Sequence, residues 1–241
     1  MLEIGVILAI LIVAVLYSSV GHGGASGYLA VMAFLVVTPE ITKPAALLLN
    51  AFVASIATFQ FYRAGYFSWR IFLPFAVTSV PFAFLGGMIQ LSIPAYKIVL
   101  GLVLVFAAAR LAWKLSAGKE ISDPPIWISL LIGALIGLLS GLVGVGGGIF
   151  LTPVLLLMNW SETKKAAGVS ALFILVNSIS GLAGTYAQVV RLPGNVWFWV
   201  MAAVVGGVIG STLGSKKFNS LTLRRVLAVA LLFAGVKLLF V

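Results

Sequence analysis

The chain alternates long apolar runs with short polar connections. Ten apolar segments can be read, at about 4–20, 28–38, 44–62, 71–91, 95–113, 126–143, 149–159, 165–188, 196–214 and 223–240. Eight are long enough to cross ~30 Å of hydrocarbon as helices. The second and seventh are too short, and each directly follows a glycine-rich break, "SVGHGGASGY" (19–28) and "GLVGVGGGIF" (141–150). This pattern predicts an all-α, polytopic transmembrane protein with short broken or re-entrant helices after its glycine turns.

The breaks belong to an internal repeat. "GHGGASGYLA" from Gly21 matches "GVGGGIFLTP" from Gly144, and "KPAALLLNAF" from Lys43 matches "KKAAGVSALF" from Lys164. "GGMIQ" near Gly86 and "GSTLG" near Gly210 continue the match. Residues 1–115 thus form a first repeat of five segments and 124–241 a second. The polar stretch 116–123 links them. An odd number of crossings per repeat predicts that the second half is inserted upside down.

Composition agrees with lipid as the solvent. The chain is 62% hydrophobic and 8% charged, far below the ~25% charge of soluble domains. The start, "MLEIGVILAILIVAVLY", carries Glu3 where a signal peptide has a basic region, so it reads as a retained first segment. A net charge of +10 could suggest nucleic acid, but the cations lie in the connections, where they set topology. If every segment switches sides, one side collects Arg63, Arg70, Arg110, Lys114, Lys119, Lys164, Lys165, Lys216, Lys217, Arg224 and Arg225. The other collects only Lys43, Lys97, Arg191 and Lys237. The positive-inside rule makes the first side cytoplasmic and places both termini outside. Trp69, Trp113, Trp127, Trp160, Trp197 and Trp199 all fall at segment ends, as an interfacial aromatic belt requires. Lys43, Lys164 and Lys165 read as interfacial topology signals.

Backbone broken at membrane depth has to be buried in protein or line a watery cavity. Transporters with inverted repeats use such breaks as binding sites, aiming positive helix N-termini at an anion. Gly23, Gly24, Gly146, Gly147 and Gly148 would let a ligand approach backbone N–H groups. His22, the single histidine, and Ser26 lie in the first turn. Asn50 lies on the third segment, paired with Ser55 as its polar residue, and Ser170 and Asn177 share a face of the eighth. These ten residues, with Ser55 outside the set, form the candidate substrate site. Imidazole changes charge between about pH 5 and 8, so His22 is a proton carrier, a donor to substrate or a turn residue bonded to nearby backbone.

The acidic residues Glu3, Glu40, Glu120, Asp123 and Glu162 lie in termini and loops, and there is no cysteine. No metal, cofactor or intramembrane carboxylate is therefore expected. One histidine without a placed acid argues against an enzyme. The expected partners are a small anionic substrate and the lipid bilayer, with a homodimer left open.

The paired "GHGGASGY" and "GVGGGIFLTPVLL" motifs, the following "KKAAGVSALF" and the chain length resemble the sulfite exporter TauE/SafE family of membrane proteins, over essentially the whole chain. The resemblance implies export of a sulfur oxyanion such as sulfite, or of an organosulfonate such as sulfoacetate, by alternating access in the cell membrane. A related thiosulfate-uptake group relies on cysteines, so a thiol relay is excluded here. A passive anion channel is the alternative.

Overall fold

The computed structural model describes residues 2–19, 22–35, 37–112, 121–216, 232, 235, 236 and 238–240. Among them the chain forms α1 (Leu2–Ser19), α2 (Ala25–Phe34), α3 (Pro39–Arg63), α4 (Trp69–Met88), α5 (Ile93–Ala112), α6 (Ile126–Val143), α7 (Gly148–Leu157), α8 (Thr163–Gly184), α9 (Tyr186–Val189) and α10 (Val196–Lys216). Most of the tenth segment and of the linker lies outside the described residues, as do Gly21 and Trp113. The eighth segment differs from expectation. It stops at Gly184, and the Thr185 hydroxyl bonds the Gln188 side chain at 2.6 Å as a short separate turn begins.

Four helices are long and apolar enough to cross a membrane, Pro39–Arg63, Trp69–Met88, Ile126–Val143 and Lys164–Gly184, with several shorter apolar helices beside them. Large apolar side chains stay exposed along the outer faces, such as Leu8 and Ile12 on α1, Leu131 and Leu135 on α6, and Met201 on α10. Such faces suit contact with lipid. This is a multi-pass membrane protein.

Small residues set the packing, because lipid gives helices no hydrophobic reason to associate and close backbone approach must supply it. On α6, Gly133, Gly137 and Gly141 recur every fourth residue, and a methyl group on any of them would strike the α4 backbone at Phe75, Ser79 or Ala83. On α10, Gly206 and Gly210 abut the α1 backbone at Leu11 and Val15 in the same manner. Gly184 of α8 lies against Phe84 and Gly87 of α4. Thus α6 runs along α4, α10 along α1, and α3 crosses α8 between them.

Connections assigned to the same side of the membrane meet one another. Arg70 pairs with Asp123 at 2.7 Å, the Ser122 amide donates to the Asn159 carbonyl, and Lys164 Nζ donates to the Tyr66 hydroxyl at 3.2 Å. On the opposite side, Asn195 Nδ2 donates to Glu3 at 3.1 Å. The tryptophans divide. Trp69, Trp127 and Trp197 are exposed, as a belt requires, whereas Trp160 and Trp199 are buried. Trp160 packs on Phe75 of α4, with ring centroids 6.2 Å apart, and so faces the protein interior instead of lipid.

Candidate functional site: two glycine turns that share one asparagine

The two breaks fold alike. Gly24 precedes α2 with φ 96° and ψ −1°, and Gly147 precedes α7 with φ 81° and ψ −19°. These left-handed conformations are costly for any residue with a β-carbon. Each glycine is followed by a helix of 10 residues, about 15 Å long. The first bonds inside those helices run from the Tyr28 amide to the Gly24 carbonyl, and from the Phe150 and Leu151 amides to the Gly147 carbonyl. Amides before these have no acceptor within their own helix and carry its positive end.

The turns come together at two side chains near the midpoints of α3 and α8. Asn50 of α3 and Ile174 of α8 are 1% and 3% exposed. Asn50 Nδ2 donates to the Val145 carbonyl at 3.0 Å, a bond from the first half to the second turn. A methyl group on Gly23 would lie 2.7 Å from Asn50 Oδ1, and one on Gly146 would lie 2.9 Å from Ser178 Oγ and also strike the Asn50 amide. One on Gly148 would collide with Ile174. The void left between the turns is about 10 Å³, lined by Tyr17, His22, Gly23, Gly24, Ala25, Ser26, Asn50, Val145, Ile149 and Ile174. That is room for one water molecule. In this state much of the space that the glycines vacate is therefore filled by Asn50 and Ile174.

Of the ten candidate residues, His22, Gly23, Gly24, Ser26 and Asn50 line the void directly, and Gly146 borders Asn50. Ser26 Oγ donates to the Tyr17 hydroxyl at 2.9 Å, and the His22 amide donates to the Tyr17 carbonyl at 3.0 Å. The space beside Gly147 is taken by Ile136 and Phe173, and Gly148 sits against Ile174. Ser170 accepts a 2.8 Å bond from Thr152 Oγ1, fastening α7 to α8. Asn177 Nδ2 donates to the Phe173 carbonyl of its own helix at 2.8 Å. Neither Ser170 nor Asn177 lines the void. Ser55 is exposed and bonds its own helix at the Phe52 carbonyl, away from Asn50's buried face.

Sequence reasoning missed Tyr17, Tyr28, Ile174 and Ser178. Tyr28 follows Gly24 in the motif, and its hydroxyl would lie 2.8 Å from a methyl group there. Three of the buried polar atoms without a protein partner lie against the turns, Tyr28 Oη at Gly24, Asn50 Oδ1 at Gly23 and Ser178 Oγ at Gly146, while others, such as Thr58 Oγ1, Ser79 Oγ and Asn195 Oδ1, lie elsewhere in the fold. Each such atom ordinarily costs about 1–3 kcal/mol.

Lys43 corrects another expectation. It is 4% exposed, and its Nζ donates to the carbonyls of Gly86 at 3.2 Å, Gly87 at 2.9 Å and Ile89 at 3.1 Å. These carbonyls end α4 and have no acceptor role left within the helix, so the ammonium caps them and the negative end of the dipole. Its backbone abuts Gly144, and the Tyr96 hydroxyl donates to the Val143 carbonyl at 3.2 Å. Side chains of the first half thus hold the second turn at Val143 and Val145. Beside them lies a cavity of about 50 Å³ whose lining includes Glu40, Lys43, Gln90, Tyr96 and Gln188.

Comparison with known proteins extends over the same residues. The profile of the family described as "Sulfite exporter TauE/SafE" matches residues 6–238. The probable membrane transporter protein y4hK of Sinorhizobium fredii is 39% identical over 242 residues, which covers 98% of each chain. The probable membrane transporter protein YjnA of Bacillus subtilis is 24% identical, over 99% of this chain and 100% of the relative. YunE of the same bacterium, also a probable membrane transporter protein, is 22% identical over 85% and 82%. No solved structure matches this chain.

Proposed function

Because this chain belongs to the sulfite exporter TauE/SafE family, we propose that it is a secondary transporter of a small sulfur-containing anion, a sulfite-like oxyanion or a sulfonate, bound between its two glycine turns. One observation carries the reading. Two turns of matching geometry, one from each half, enclose a common void at mid-helix depth, with unpaired buried polar atoms around it. Backbone amides at two helix N-termini and hydroxyl donors suit an anion.

The void is too small for such an anion, so the state described is closed. Access requires the turns to part, and the exchanged packing of α1 on α10 and α6 on α4 supports two inverted halves that rock against each other. The charge distribution supports both termini outside, and the description of the family supports export as the direction.

The test is anion flux in proteoliposomes. A carrier should show saturable uptake that is accelerated by unlabelled substrate on the far side, whereas a channel should conduct ohmically without exchange. Gly24→Val or Gly147→Val should abolish flux, while Gly5→Val, at a position with nothing within 4 Å, should leave it intact. Equal flux in all three variants sinks the assignment of the site.

A further inference from the structure

Asn50 stands apart from the other polar atoms of the void. The Ser26 hydrogen is already given to Tyr17, but the unpartnered hydroxyls of Tyr28 and Ser178 beside the turns and the turn amides can present hydrogen to a ligand, whereas a carboxamide oxygen can only accept. The other end of the Asn50 side chain is committed. Its Nδ2 bonds the Val145 carbonyl at 3.0 Å, and that bond fixes which end of the amide is oxygen. Oδ1 then faces Gly23, buried and without a protein partner. An anion made only of acceptors would set its own oxygen against Oδ1, two lone pairs facing with no proton between them. A cation would leave the turn amides unmatched.

From this juxtaposition we infer that Asn50 Oδ1 selects anions that carry a hydrogen-bond donor of their own, and that the substrate class is a monoprotonated oxyanion or a sulfonate bearing a nearby hydroxyl or ammonium group. The inference rests on the anion-transport reading and narrows it. The acceptor takes the substrate's O–H or N–H, while the turn amides and hydroxyls take its anionic oxygens. Bound in this way, the ligand completes each group with its proper partner. Satisfying a site's buried acceptor discriminates far more strongly than adding apolar contact.

The experiment compares binding of matched anions to the purified full chain by calorimetry. Ethanesulfonate has no donor and 2-hydroxyethanesulfonate, of the same charge, adds a hydroxyl; taurine adds an ammonium at the same carbon and is a zwitterion, so it reports on the donor only through its response to the Asn50 variants. Hydrogen sulfite and methanesulfinate, both monoanions below neutral pH, form the inorganic arm, the second having a methyl in place of the hydroxyl. At least one donor-bearing anion should bind about tenfold more tightly than its donor-free partner. The arm in which this happens identifies the source of the donor, organic or inorganic. In Asn50→Leu, which keeps the volume and removes the acceptor, that ratio should fall to about one. The ratio is read only on variants that still bind the donor-free anion, and Asn50→Ala supplies the same reading if the leucine variant does not purify. Donor-free and donor-bearing anions binding equally to the unaltered protein, or a ratio unchanged in both variants, overturns the inference and leaves anion transport standing. Failure of every anion to bind overturns the transport reading and this inference with it.

Discussion

At the scale of single residues, the glycines of the second turn have different reasons for being glycine. Gly147 needs its left-handed backbone, whereas Gly148 opens α7 and is small because Ile174 occupies the space where its side chain would be. Gly148→Ala should therefore overpack the crossing and cost about 1–3 kcal/mol. Ile174→Ala removes the obstructing carbons, so the double variant should be at least ~1 kcal/mol more stable than the two single effects predict together. Gly147→Ala should gain no such rescue, because its strain is in the backbone. Thermal unfolding in detergent checks all four proteins, and additive losses at Gly148 and Ile174 would refute the packing account. The turns and Asn50 were legible in the sequence, because glycines and an amide stand out against apolar neighbours. Ile174 was not, since an isoleucine in an apolar helix carries no mark of what it faces. Ser170 and Asn177 share a helical face as the spacing required, yet Ser170 is taken by Thr152 of α7 and the Asn177 amide nitrogen by the Phe173 carbonyl one turn away.

At the scale of helices, apolar runs located most elements to within a few residues, and α6 falls on the expected 126–143. What a run cannot report is what terminates a helix by tertiary contact. Lys43 reads as one more cation at an interface, but it is drawn inward by three carbonyls that end α4. Lys164, its partner in the repeat, is exposed and meets only the Tyr66 ring and hydroxyl among its described contacts. The two lysines thus match in sequence position and differ in use. Lys43→Met removes the cap and leaves buried carbonyls unpaired, which should cost about 3 kcal/mol or more. Lys164→Met should cost less than about 1 kcal/mol, as for other exposed contacts. Equilibrium unfolding in mixed detergent measures both, and equal losses would show that Lys43 does not carry the end of α4. Because Lys43 and Tyr96 flank the second turn, loss of the cap should also slow anion flux more than it changes affinity.

At the scale of the whole molecule, the loops that must share a side do meet, but contact between loops says nothing about which side faces the cytoplasm. The direction rests on charge, eleven Lys and Arg in one set of connections against four in the other. Burial of Lys43 weakens the minority further, because an ammonium held by three carbonyls inside the protein is a poor topological signal. The exposed Arg70–Asp123 pair and Lys164 belong to the majority side, with Ser122 in the connection between them. Gly194 lies in the opposite connection with nothing within 4 Å of an added side chain. The absence of cysteine makes both positions directly testable, since Ser122→Cys or Gly194→Cys introduces the sole thiol. In intact cells an impermeant maleimide should label Gly194→Cys, and it should reach Ser122→Cys only after the membrane is opened. The reverse pattern would turn the molecule over, placing both termini in the cytoplasm. The meeting of the glycine turns would survive that reversal, but the first hairpin, α1–α2, would then enter from inside.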